Sequence, residues 1–76
     1  MRGSLRTMEY ERFLKAFRKA REDKGLTQEE VAKILKRPQS YVSKCESGER
    51  RVDVIELAEF AKVYGKPLNY FVHNRA

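Results

Sequence analysis

The sequence predicts an all-α domain of five helices joined by short turns. Three observations lead to this. Apolar residues recur with helical periodicity, and no strand-like alternation persists. Two capping boxes, Thr27 with Glu30 and Asp53 with Glu56, mark two helix starts. Glycines and prolines punctuate the rest. Gly25, Gly48 and Gly65 stand where helices should stop, and Pro38 and Pro67 stand where new ones should begin.

Each element has a local reason. The first helix is expected from about Met8 to Lys24, with Thr7 as its N-cap and Glu9 and Glu11 suited to the positive helix end. Tyr10, Phe13, Leu14, Phe17, Ala20 and Arg21 fall on one of its faces. Leu26 and Val31 occupy the staple positions around the first capping box, as Val52 and Leu57 do around the second. Pro38 prevents the second helix from continuing and opens a third over residues 39–47. Leu57, Phe60, Ala61 and Tyr64 direct the fourth helix toward the chain's own core, and a short fifth helix spans Pro67 to Val72.

Composition narrows the class. A chain of 76 residues makes one small domain with a modest core. One cysteine allows no internal disulfide, and one cysteine with one histidine excludes a Cys/His zinc site within the chain. The only histidine, His73, lies near a terminus without a paired nucleophile, so no enzyme is expected, nor any cofactor, metal or small-molecule ligand. No apolar run approaches the ~20 residues that span a bilayer. Met1-Arg2-Gly3-Ser4 lacks a signal core and resembles the remnant of an expression tag. Residues 1–7 are therefore expected as a flexible leader, residues 8–76 as the domain, and the cytoplasm as the location. The net charge of +6 is uneven. Residues 1–25 carry eight Lys/Arg against four Asp/Glu, residues 26–51 six against four, and residues 52–76 three against three. A basic excess of this kind favours polyanions, nucleic acid before acidic membrane.

Residues 26–48 hold two short helices with a tight turn between them. Val31, Leu35, Val42 and Cys45 supply apolar contacts, and Ala32 is small where the third helix crosses. The outer face of that helix is Gln39, Ser40, Ser43 and Lys44, which suits a rod laid in the major groove of DNA. Gln pairs bidentately with adenine, Lys approaches guanine O6 and N7, and Ser serves donor or acceptor edges.

Residues 17–72 resemble the Cro and lambda-repressor (XRE) type of helix-turn-helix domain. The resemblance rests on Leu26-Thr27-Gln28-Glu29-Glu30-Val31-Ala32, on Gln39-Ser40-Tyr41-Val42-Ser43, and on Glu46-Ser47-Gly48-Glu49-Arg50. It implies a compact five-helix lambda-repressor-like domain whose helices 2 and 3 form the helix-turn-helix. It implies that Gln39, Ser40, Ser43 and Lys44 read bases, and that Gln28 contacts phosphate at a helix N-terminus. Arg50 and Arg51 are expected to flank the DNA backbone, with Arg37 in the turn as a further candidate. Tyr41 either offers its hydroxyl to a phosphate or packs its ring over the hairpin. Arg21 and Glu46 match a helix 1–helix 3 ion pair of the family.

Two residues depart from the family pattern. Lys36 stands where glycine is usual, and Cys45 where a larger aliphatic is usual. Cys45 reads as a small buried hydrophobe rather than a redox switch. The chain ends soon after the fifth helix, which points to a homodimer. Leu68, Tyr70, Phe71 and Val72 are the expected seam, helped by Val54 and Ile55. The leading function is a sequence-specific transcriptional regulator, repressor or controller, binding a palindromic double-stranded DNA operator as a dimer. The alternatives are an antitoxin-type regulator and a protein-interaction adaptor reusing the fold. The polar outer face of helix 3 argues against the adaptor.

Overall fold

The computed structural model describes residues 5–72, with side chains from Met8 onward. The first four residues of the expected leader, and His73, lie outside the described residues. Five helices follow in order: α1 Leu5–Lys24, α2 Gln28–Leu35, α3 Gln39–Ser47, α4 Val54–Tyr64 and α5 Leu68–Phe71. No helix among the described residues is long and apolar enough to cross a membrane.

α1 begins earlier than expected. Leu5-Arg6-Thr7 contains no helix breaker, so the helix carries back through Thr7, which lies inside it rather than capping it. Glu9 and Glu11 fall beyond the first turn for the same reason. Pro38 and Pro67 also differ by one position. They take the N-cap sites of α3 and α5 in extended backbone, not the first helical turn. Proline has no side chain that accepts a hydrogen bond, so neither helix start has a side-chain cap. Both capping boxes form. Thr27 Oγ1 accepts from the Glu30 N–H at 3.1 Å while the Thr27 N–H donates to Glu30 Oε1 at 2.9 Å. The Asp53–Glu56 pair does the same at 2.8 and 3.1 Å.

Phe17 organises the core. It is fully buried on α1, edge-on to Phe60 at 4.7 Å, with Tyr64 at 6.4 Å, Phe71 at 6.2 Å and Phe13 at 5.3 Å. One ring of α1 thus meets both C-terminal helices, and edge-to-face pairs of this kind add ~0.5–1.5 kcal/mol beyond burial. Val31 and Ala32 of α2 and Tyr41, Val42 and Cys45 of α3 close the other side. Phe71 is 2% exposed, so it belongs to this core and not to a surface seam. A helix as short as α5 has no stability of its own, and burying Phe71 is what holds it.

α1, α2 and α4 end alike. The residue after the helix turns through positive φ, and two backbone N–H groups fold back onto the last carbonyls. At α2 that residue is Lys36, with φ 59 and ψ 47. Its N–H donates to the Lys33 carbonyl at 3.1 Å, and the Arg37 N–H to the Ala32 carbonyl at 2.9 Å. Gly25 and Gly65 hold the same place after α1 and α4, so Lys36 alone carries a side chain there. The end of α3 has a tighter demand. Gly48 has φ 86, and a Cβ on it would lie 2.9 Å from Leu14 Cδ1.

Lys36→Gly is expected to raise stability by about 0.5–1 kcal/mol, because relieved left-handed strain exceeds the unfolded-state entropy that glycine adds. Gly48→Ala is expected to lower it by roughly 1–3 kcal/mol through positive φ and the Leu14 overlap. Urea melts of the two variants check both signs. A destabilised Lys36→Gly would show that the lysine is not strained.

Candidate nucleic-acid interface

α3 divides cleanly into two faces. Tyr41, Val42, Cys45 and Glu46 are buried, whereas Gln39, Ser40, Ser43, Lys44 and Ser47 are exposed. The split follows from 3.6-residue periodicity, with the inward positions docking on α2 and α1. All four residues expected to read bases therefore share one solvent face. Pro38 leaves the first N–H groups of α3 uncapped beside Gln39 and Ser40. That end of the helix carries partial positive charge.

Glu46 fixes how α3 is held. It is 2% exposed, and a carboxylate taken out of water needs a partner with good geometry. Arg21 supplies it from α1: Nε donates to Glu46 Oε2 at 2.7 Å and Nη2 to Oε1 at 3.1 Å. A third Arg21 nitrogen, Nη1, donates to the Leu26 carbonyl at 3.0 Å and ties down the α1–α2 turn. Hydrogen bonding to Glu46 raises the Arg21 pKa further, so the guanidinium stays charged. Gln28, the first residue of α2, donates from Nε2 to Glu46 Oε1 at 2.9 Å. Arg18 donates to the Glu46 backbone carbonyl at 3.2 Å, satisfying one of the open carbonyls at the end of α3. Sequence reasoning paired Arg21 with Glu46 but missed Arg18 and the link to Gln28. No spacing rule connects residues 18 and 28 to residue 46. Half of the Gln28 amide donor capacity is thus spent within the protein.

Two residues expected on phosphate do other work. Tyr41 is buried, its ring stacked on Phe60 at 5.8 Å, and among the described residues its hydroxyl is enclosed without a hydrogen-bond partner. A hydroxyl closed off from solvent offers nothing to a phosphate, so Tyr41 is a core residue. Burial also raises its pKa. Arg50 donates to both oxygens of Glu56, from Nη1 to Oε1 at 2.9 Å and from Nη2 to Oε2 at 2.8 Å, and again to the Arg51 carbonyl at 3.1 Å. It is an intramolecular partner before it is a DNA contact. The six-residue offset between Arg50 and Glu56 crosses a loop, and helical periodicity gives no signal for it.

Arg37 and Arg51 remain. Arg37 lies 4.5 Å above the Tyr41 ring, and Arg51 lies 4.3 Å above the Tyr10 ring, whose hydroxyl accepts from the Val52 N–H at 3.2 Å. Both arginines are exposed, and among the described residues neither pairs with a carboxylate. The rings hold the flat cations at the rim of α3 by cation–π attraction. Cys45 is fully buried and burial pushes its thiol up, which keeps it neutral and inert. Of the expected seam, Leu68 and Val72 are exposed, and Tyr70 is half-buried against Phe71. Val54 and Ile55 are also exposed, at 65% and 69%.

Arg21→Ala and Glu46→Ala are each expected to cost ~3–5 kcal/mol, and the double variant clearly less than their sum, because each single change strands a buried charge. A double-mutant cycle in urea measures this; strict additivity would remove the pair from the argument. Glu56 carries a pH signature. Hydrogen bonds from Arg50, then from the Asp53 N–H, lower its carboxyl from 4.5 to about 2. The folded state binds that proton more weakly than the unfolded chain, so the pair stabilises fully above pH ~4.5 and the contribution is lost as pH falls toward ~2. Acid titration of stability should be shallower in Glu56→Gln than in the wild type over that window. Equal slopes would mean that Arg50 does not hold Glu56 in solution.

Comparison with known proteins places this geometry. Neither curated proteins nor solved structures yielded a match. A family profile described as helix-turn-helix matches residues 17–71, from the centre of α1 to the end of α5. The chain belongs to the helix-turn-helix family of the Cro and lambda-repressor type, a family of DNA-binding transcriptional regulators.

Proposed function

We propose that this protein is a sequence-specific regulator that binds a palindromic operator as a homodimer, with α3 in the major groove. The supporting observation is the face of α3 that carries Gln39, Ser40, Ser43 and Lys44. It is wholly polar and exposed, on a helix anchored from behind by Glu46. A surface helix has a polar face whatever its role, and here the face carries residue types that pair with base edges. Gln39 and Ser40 sit at the N-terminal end, where a recognition helix reaches base edges. Phosphate positioning falls to Arg37, Arg51, the remaining donor of Gln28 and uncapped backbone N–H groups. The protein acts as a repressor or controller in the cytoplasm.

One such helix reads only part of a groove turn. Two of them, ~34 Å apart, read a palindrome. The exposed apolar side chains of Val54, Ile55, Leu68 and Val72, flanked by Tyr70, are the seam for that pairing. The charge balance of residues 52–76 suits it.

Gln39→Ala and Lys44→Ala are expected to relax sequence preference by ~1–3 kcal/mol per base contact, whereas Arg51→Ala weakens all duplexes alike. Selection of bound fragments from random DNA, followed by anisotropy titration, separates the two behaviours. Equal losses on selected and random duplexes for Gln39→Ala would move it off the base-reading face. Sedimentation is expected to give a dimer at micromolar concentration and a monomer for Val72→Glu. A monomeric wild type would overturn the dimer.

A further inference from the structure

Arg50 is the one basic residue at the rim of α3 that is bound to a carboxylate among the described residues, and the form of that binding is informative. Two parallel N–H···O bonds, at 2.9 and 2.8 Å, reproduce the fork by which arginine grips a phosphate. The two partners differ in accessibility. The Arg50 side chain is 41% exposed, whereas that of Glu56 is 15% exposed. An approaching anion therefore has access to the Arg50 side chain, and to bind it must take the guanidinium from the carboxylate. The place also fits. Arg50 lies in the loop just past α3, 4.9 Å from the Tyr41 ring, over which Arg37, without a carboxylate partner among the described residues, lies at 4.5 Å. Both guanidiniums are thus gathered at one ring. Glu56 is held independently, because it also accepts the Asp53 N–H at 3.1 Å and so stays at the start of α4 if Arg50 leaves.

We propose that Glu56 is an internal stand-in for a DNA phosphate, holding Arg50 in the free protein and competing with bound DNA for its guanidinium. This rests on the DNA-binding reading above. The pairing cancels the charge of Arg50, so the residue displaces little of the counterion atmosphere when DNA binds. The carboxylate thereby sets an upper limit on affinity for any DNA, specific or not, and leaves sequence preference to α3.

The test is the salt dependence of binding to a fluorescein-labelled random-sequence duplex, with the wild type, Glu56→Gln, Arg50→Gln and the double variant. Gln at position 56 keeps the oxygen that caps α4, and Gln is a normal partner in a capping box, so the fold is retained. Circular dichroism melts establish that for each variant. Glu56→Gln is expected to bind more tightly at low salt, with a log–log salt slope steeper by ~0.9 per protomer, a further loss of roughly 3.5-fold between about 50 and about 200 mM salt. Arg50→Gln alone is expected to weaken binding, because it leaves the Glu56 carboxylate uncancelled near the phosphates, and in the Glu56→Gln background to remove the gain. A slope that is unchanged or shallower in Glu56→Gln overturns the proposal, as does a gain that survives Arg50→Gln in the Glu56→Gln background. A wild type that shows no salt-dependent binding to duplex DNA overturns this inference and the function it rests on. Wild-type binding with an unmoved Glu56→Gln slope overturns this inference alone.

Discussion

Glu46 is a carboxylate buried at the end of α3, and the position of the outer helix face depends on how that charge is satisfied. Removing a carboxylate from water costs several kcal/mol unless fixed donors replace the solvent. The donors come from α1 through Arg21 and from α2 through Gln28, while Arg18 holds the adjoining carbonyl. Three helices thus converge on one side chain. Apolar packing of Val31, Val42 and Cys45 gives the hairpin its free energy, but it tolerates small sliding and rotation. The hydrogen-bonded carboxylate does not, because a shift of a few tenths of an ångström strands a charge. Gln39, Ser40, Ser43 and Lys44 inherit their orientation from that constraint. Gln28 joins the same centre to the start of α2, so the carboxylate that anchors the recognition face also orients an amide at its edge.

Tyr41 couples the interior to the rim. One ring face stacks on Phe60 in the core, and two guanidiniums, those of Arg37 and Arg50, cover the ring. Those cations have different fates. Arg37 finds no carboxylate among the described residues, whereas Arg50 is gripped by Glu56, whose carboxylate also accepts the Asp53 N–H at the start of α4. The loop between α3 and α4 is therefore closed by one carboxylate with two duties. Phe17 plays the matching part on the far side, where its ring gathers Phe60, Tyr64 and Phe71 and holds a helix of only four residues in place.

Helix ends set the angles at which these parts meet. α1, α2 and α4 stop by the same folding back of the chain, and only α2 does so through a residue with a side chain. Lys36 accepts left-handed strain at the turn of the helix-turn-helix, and that turn places Arg37 above Tyr41. Gly48 answers a different need, since Leu14 of α1 occupies the space a Cβ would take.

Local chemistry determined much of this protein before any fold was known. Capping boxes, glycine stops and helical periodicity act over three to seven residues, so they located α2, α3 and α4 and assigned the polar outer face of α3. They failed where the deciding interaction was weak or distant. Thr7 suits a cap by residue type, yet nothing in Leu5-Arg6-Thr7 halts the helix, and α1 runs back through it. Tyr41 could be read as a surface hydroxyl or a packed ring, because an amphipathic side chain suits both; the presence of Phe60, 19 positions on, decided for the ring. The family resemblance puts Phe71 in a dimer seam, and contact with Phe17 makes it core. Arg50 looked free until Glu56 was brought opposite it across a loop. For Tyr41, Phe71 and Arg50 the tertiary structure chose the partner, because burial and ion pairing depend on distance in space, and local pattern carries no record of that distance.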